Sequence, residues 1–304
     1  MGVRLIAIIG VATAGLVLAG CGSSSTSNST PPSRVGPAQL ISSAAVKSTG
    51  TPSMKTDLTV TMLSSKLPGG RIDLTATGAL DNTNHRMNMR LDMSKLVTQF
   101  GGAAAALGTP GEWVGEEIGD FGDGRAIMYM RLPALAKVIP GGKPWIKMDL
   151  NAIGSQAGID LSQFTQFTND PSRMIDWLRA ASGDVTTIGT EKVDGVETTH
   201  YRATVDLDKY PDLVPAEQRD AMRKAIDSLE KTTHVTEFPM HVWVGKDDGL
   251  VRKVSTVLTQ TIQGQTVNVV TSERFYDFGS QVDVALPSDD QVTDLTALAT
   301  GTGG

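Results

Sequence analysis

The sequence predicts an α+β fold: one large antiparallel β-sheet, curved, with two to four helices gathered on one of its faces. Three observations predict it. Long runs alternate between apolar and polar residues, turn-forming residues separate those runs, and a few intervening segments carry helical periodicity instead.

Taken in order, residues 39–48 place Leu40, Ile41, Ala44 and Ala45 on one side of a short helix. Residues 57–62, 72–77 and 86–93 then alternate with period two, which gives strands with one buried and one wet face. Asp81-Asn82-Thr83-Asn84 supplies a hairpin turn between the second and third of them. Residues 96–124 break the pattern with Gly101-Gly102, four alanines from Ala103 to Ala106, Pro110 and Gly111. That stretch is too long for an ordinary connector and reads as a loop or short helix, a candidate lid.

Strands resume at residues 126–132 and 145–150, around the turn Pro140-Gly141-Gly142-Lys143-Pro144. Asp170-Pro171 reads as the N-cap and first position of a helix carrying Met174, Ile175, Leu178 and Ala181 on one face. Residues 185–192 and 197–207 form the next two strands, joined by Val193-Asp194-Gly195. A helix over residues 215–231 aligns Met222, Ala225, Ile226 and Leu229, and strands follow at 237–244, 250–262 and 265–278. The total is roughly nine to eleven strands, and a sheet of that size twists and curls around its helices. Curling leaves a concave apolar space, which is the physical route from this pattern to a ligand.

The first residues place the domain in the cell. Arg4 followed by a short apolar run to Ala19 is the pattern of a secretory signal. The run is shorter than the ~20 predominantly apolar residues of a confident membrane span. Leu18-Ala19-Gly20-Cys21 matches the bacterial lipobox, in which the cysteine receives a diacylglyceryl group and the chain is cut just before it. Cys21 is the chain's single cysteine, so it has no disulfide partner within the chain. Two long acyl chains of the palmitate kind anchor stably at ~0.8 kcal/mol per buried methylene. The run after Cys21, up to Pro32, is Gly, Ser, Thr, Asn and Pro, a flexible tether.

The expected organisation is therefore a signal peptide at residues 1–20, a tether at 21–37, a single domain at 38–295 and a frayed tail at 296–304. With Arg4 removed, 26 basic and 33 acidic residues give a net charge of −7, and no basic run stands out, which argues against nucleic acid.

The domain resembles the LppX/LprG lipoproteins of mycobacteria and their relatives in other actinobacteria. The pieces that carry the resemblance are Met128-Tyr129-Met130-Arg131, then Gly142-Lys143-Pro144-Trp145-Ile146-Lys147-Met148-Asp149. Val193-Asp194-Gly195-Val196 with His200-Tyr201, Val242-Trp243-Val244-Gly245 and Asp248-Gly249-Leu250-Val251 add to it. These are turns and strand starts rather than a chemistry. The resemblance implies a half-barrel packed on helices, similar in shape to the LolA and LolB lipoprotein carriers, and a lipid or glycolipid ligand in the cavity.

Catalytic signatures are missing from the sequence: it has no Gly-x-Ser-x-Gly elbow, no His-Glu-x-x-His and no Gly-rich phosphate loop. His85, His200, His234 and His241 lack metal-ligand spacing, and Asp247-Asp248-Gly249 reads as a hairpin turn rather than a calcium loop. No enzyme activity, metal or cofactor is expected. Leu58, Val60 and Met62 share one strand face, as do Met87, Met89, Leu91 and Met93. They read either as core under the helices or, with Met174 and Leu178 at the mouth, as the lining of a cavity for acyl chains. The two functional readings are a membrane-anchored carrier or sensor of an apolar ligand, and a solid-cored lipoprotein that docks an envelope partner.

Overall fold

The computed structural model describes residues 36–65, 67–95, 98, 108–136, 143–156, 185–213, 216–233, 235–262 and 265–296. Cys21, the expected signal and tether, the expected helix with Met174 and Leu178, His234 and residues 297–304 lie outside them, as does most of the 96–107 stretch.

Helix α1 (Pro37–Thr49) opens the described chain, with proline in its first turn. Six strands follow: β1 (Ser53–Leu63), β2 (Arg71–Asp81), β3 (Arg86–Asp92), β4 (Val114–Asp120), β5 (Ile127–Arg131) and β6 (Trp145–Asp149). Short helices α2 (Pro133–Ala136) and α3 (Leu150–Gln156) flank β6. Strands β7 (Thr186–Val193) and β8 (Val196–Asp206) precede α4 (Arg219–Thr233), and β9 (Glu237–Gly245), β10 (Val251–Ile262), β11 (Gln265–Tyr276) and β12 (Val292–Asp294) complete the chain.

The twelve strands form a single curved, unclosed sheet in the order β12-β6-β5-β4-β3-β2-β1-β11-β10-β9-β8-β7. Each run of consecutive strands is an antiparallel meander, so turn chemistry alone sets most of the pairing. Asp194 and Gly195, at φ of 50° and 83°, form the two-residue turn between β7 and β8. The joint between the two meanders is β1 against β11, with Val60 opposite Thr271.

Three elements depart from the sequence expectation. Residues 96–124 are not all loop, because β4 runs through their end. The sheet has twelve strands rather than nine to eleven, and it is not wholly antiparallel: β12 returns to pair in parallel with β6, Thr293 opposite Ile146. Three residues are too few to show a period, so β12 has no sequence signal.

Pleating sends alternate residues to opposite faces. One face carries the main core, in which Ile41, Ala44 and Ala45 of α1 pack against Met54, Met87, Met89, Val242, Val244 and Phe275. Ile226 of α4 packs with Leu207 and Val235 beside Phe238 and Leu258 of the same face. The opposite face is covered at one end by the chain after β11, where Val284 and Leu286 seat on Ile118, Tyr129 and Trp145.

Candidate ligand-binding face

The helix-bearing face reads strand by strand as a nearly unbroken apolar surface. Its inward residues are Leu58, Val60 and Met62 on β1, Ile72, Leu74 and Ala76 on β2, and Met87, Met89 and Leu91 on β3. The registers place these side by side, so the sequence-predicted set on β1 and β3 shares one face across the intervening β2. Met87 and Met89 are buried and Leu58 and Leu91 pack against the same cluster. Met93 belongs instead to a second cluster with Trp113, Leu132 and Ala134. Met174 and Leu178 lie outside the described residues.

Two carboxyl groups interrupt this surface. Glu117 lies on β4 between Met89 of β3 and Met130 of β5, and it is 2% exposed. Its inward neighbours on the same strand are Gly115 and Gly119. A side chain at Gly115 would run into Leu132, and one at Gly119 into Phe121 and Met87, so larger neighbours close over both glycines. Glu117 is thus a lone acid in an apolar frame, and burial pushes its carboxyl up to about 7.

Glu273 lies on β11 between Leu58 of β1 and Val254 of β10. It is less fully covered than Glu117, yet densely enough surrounded that burial raises it to about 7 as well. It accepts a 2.8 Å hydrogen bond from the Thr56 hydroxyl, which pulls the other way. Four strand spacings of ~4.8 Å separate β4 from β11, roughly 19 Å measured along the sheet. Among the described residues, the inward positions of β1 to β6 and of β11 hold no lysine or arginine.

The outward face has a different chemistry. His200 stands between Glu191 and His241: its Nδ1 is 2.9 Å from a Glu191 oxygen, and its Nε2 is 2.8 Å from His241 Nδ1. The network assigns the tautomers, with His200 donating to Glu191 and His241 donating to His200. Trp243 stacks on the His200 ring at 4.2 Å and donates its indole N–H to the same Glu191 oxygen at 2.5 Å. Lys253 lies 4.4 Å above the Trp243 ring. Burial lowers the pKa of both imidazoles. This chain of groups ties β7, β8 and β9 together across two registers. It was invisible in the sequence because Glu191, His200 and His241 meet only through strand pairing.

The turn read from Asp247-Asp248-Gly249 is present. Asp248 and Gly249 form the β9–β10 turn, with Asp248 paired to Arg252 and accepting from the Leu250 amide. Among the described residues, no three histidine, cysteine or acidic side chains gather as a metal site. A hollow between β2, β3 and β4, lined by Thr77, Gly78, Asn88, Met89, Arg90, Glu116 and Ile118, measures about 160 Å³. That is below the ~300 Å³ at which ligand pockets begin. Among the described residues, no helix is long and apolar enough to cross a membrane.

No family profile matches the chain. It is 30% identical over 164 residues to a protein of Streptomyces griseus described as an uncharacterized 31.2 kDa protein in the rplA-rplJ intergenic region, 52% of this chain and 50% of that one. The chain therefore matches about half the length of that relative. Among solved structures it is similar to lipoprotein LppX of Mycobacterium tuberculosis, at 11% identity and a TM-score of 0.45, covering 82% of this chain and 97% of that one. It is also similar to LprF of Mycobacterium bovis, at 14% identity and a TM-score of 0.37, covering 83% and 96%. A putative outer membrane lipoprotein-sorting protein domain of Vibrio parahaemolyticus follows, at 10% identity, a TM-score of 0.29 and coverage of 81% and 93%. Lipoproteins of the kind the sequence resembles thus stand among its solved neighbours.

Proposed function

We propose that this chain is an exported lipoprotein, anchored on the outer face of the cytoplasmic membrane through diacylglyceryl-Cys21, that carries or senses an apolar ligand on the inward face of its sheet. One observation carries the reading. The inward positions of β1, β2 and β3 line up in register as a broad apolar surface, on a curved, unclosed sheet. A curved, apolar face with a few polar groups set into it suits small-molecule binding, and methionine suits it to ligands of irregular shape.

Mass spectrometry of solvent extracts from purified, unlipidated protein tests the ligand. A co-purifying lipid or other apolar molecule in near-stoichiometric amount is the expected result, and empty extracts would count against the reading. Labelling cells with an alkyne fatty acid tests the anchor: the protein takes up label, and Cys21→Ser abolishes it.

A second reading, in which the domain docks an envelope protein, has one observation in its favour. Strand β7 is an edge strand, exposed over nearly its whole length, with Ile188 54% exposed. Cross-linking in cells would then recover one specific partner while lipid extracts stay empty.

A further inference from the structure

The inward face is not uniformly apolar, and its exceptions say something about what it binds. Glu117 is almost wholly withdrawn from solvent, burial is what raises its carboxyl, and no hydrogen bond or ion pair joins it to another described residue. A buried carboxyl without a partner is costly, whichever protonation state it holds. Alternation on β4 would set an apolar residue at this inward position; instead the strand sets an acid between two glycines whose space Leu132, Phe121 and Met87 fill. The methionines on either side of Glu117 have no strong acceptor or donor to offer it.

We propose that Glu117 is the polar anchor of the site, accepting a hydrogen bond from a hydroxyl group on an otherwise apolar, uncharged ligand. This rests on the reading of the inward face as the binding surface. A hydroxyl suits the position because both the neutral and the ionised carboxyl accept its hydrogen. Glu273, held by Thr56 on β11, is a second acid on the same face, and no cation stands among the described inward residues of β1 to β6 and β11. An anionic head group entering beside these strands meets two acids and, among their described inward residues, no cation. The class of ligand is therefore a neutral long-chain alcohol or a hydroxylated lipid, in preference to a free fatty acid or a phospholipid.

The test uses the full chain carrying Cys21→Ser and three probes of equal chain length: 1-hexadecanol, 1-methoxyhexadecane and hexadecanoate. Each competes at pH 8 with the neutral fluorophore N-phenyl-1-naphthylamine. Hexadecanol is expected to displace the fluorophore at about tenfold lower concentration than the methyl ether, with hexadecanoate weakest. In Glu117→Leu, alcohol and ether should become equal while both still bind. Equal displacement by alcohol and ether in the unsubstituted site, or a preference that survives Glu117→Leu, overturns the proposal and leaves the apolar-face reading standing. Failure of the fluorophore and all three probes to bind overturns both. The alcohol-to-ether ratio needs no variant, so the outcome does not depend on whether Glu117→Leu folds, and Glu117→Gln, which keeps an acceptor, should retain part of the preference.

Discussion

On β1, Leu58 and Val60 point into the helix-bearing face while Asp57, Thr59 and Thr61 point away from it. On β11, Glu273 points in and Arg274 out. The two faces of this sheet are thus one residue out of step on the same strands, yet they treat charge in opposite ways. Outward charges are paired: Arg274 bridges Asp57 and Asp194 at 2.7 and 2.8 Å, and Arg131 meets Glu116 at 2.6 Å. Among the described inward residues of β1 to β6 and β11, the charged groups are acids, and they are desolvated. A surface that only had to pack would have no reason to keep Glu117 there; replacing such a group with an apolar one of similar volume commonly stabilises a fold. The contrast separates residues that hold the sheet from residues that are kept at a cost.

The largest effect should come from the inward face. Met54 is completely buried in the main core, so Met54→Ala should cost about 2–5 kcal/mol in a denaturant titration. The outward Thr59→Ala, one strand position out of phase, should stay within about 0.5 kcal/mol. Comparable losses at the two positions would erase the distinction between the faces.

A smaller effect tests the inward acids. Glu117 and Glu273 have folded pKa values of about 7 against 4.5 for a free glutamate. Between those values the unfolded chain has already released protons that the folded chain still holds. Stability contributed by the neutral carboxyls is therefore full below about pH 4.5, falls as pH rises to 7, and stays lost above it. Glu117→Gln should remove its share of that decline and stabilise the protein by on the order of 2–3 kcal/mol at pH 8, with little change near pH 4.5. A thermal melt series across pH reads this directly, and an unchanged slope would mean that Glu117 is well solvated.

The outward network gives the smallest effect, with the opposite sign. His200 and His241 have lowered pKa values, chiefly through burial. The unfolded chain therefore takes up protons first as pH falls below about 6.5, and stability is lost in that direction. His241→Gln should cost about 1 kcal/mol near neutral pH through the broken hydrogen bond to His200. The same change should flatten the acid-side decline, seen as melting curves that converge with the unsubstituted protein toward pH 5.

Much of the fold was legible because alternation and turns are local. Residues 86–92 show β3 on inspection, and Asp194-Gly195 announces its hairpin. What was not legible has a physical reason in each case. On β4 the inward positions are Gly115, Glu117 and Gly119, so the strand that carries the most informative acid lacks the apolar alternation by which strands are recognised. The Met-rich face on β3 was visible, while the acid opposite Met89 was not. The histidine network depends on register across β7, β8 and β9, a property that no single segment carries. Cys21 stands apart, since its evidence is a linear motif that needs no fold.

The order of strands also sets a constraint in time. Thr56 and Glu273, joined across the β1–β11 seam, are 217 residues apart, and Lys147 and Asp294, joined across β6 and β12, are 147 apart. Each meander can form from near neighbours, but the seam that unites them waits for the last strands, and such distant closures slow folding. A chain threaded outward from its N-terminus would therefore stand half-assembled, with its inward face open, until β11 has emerged.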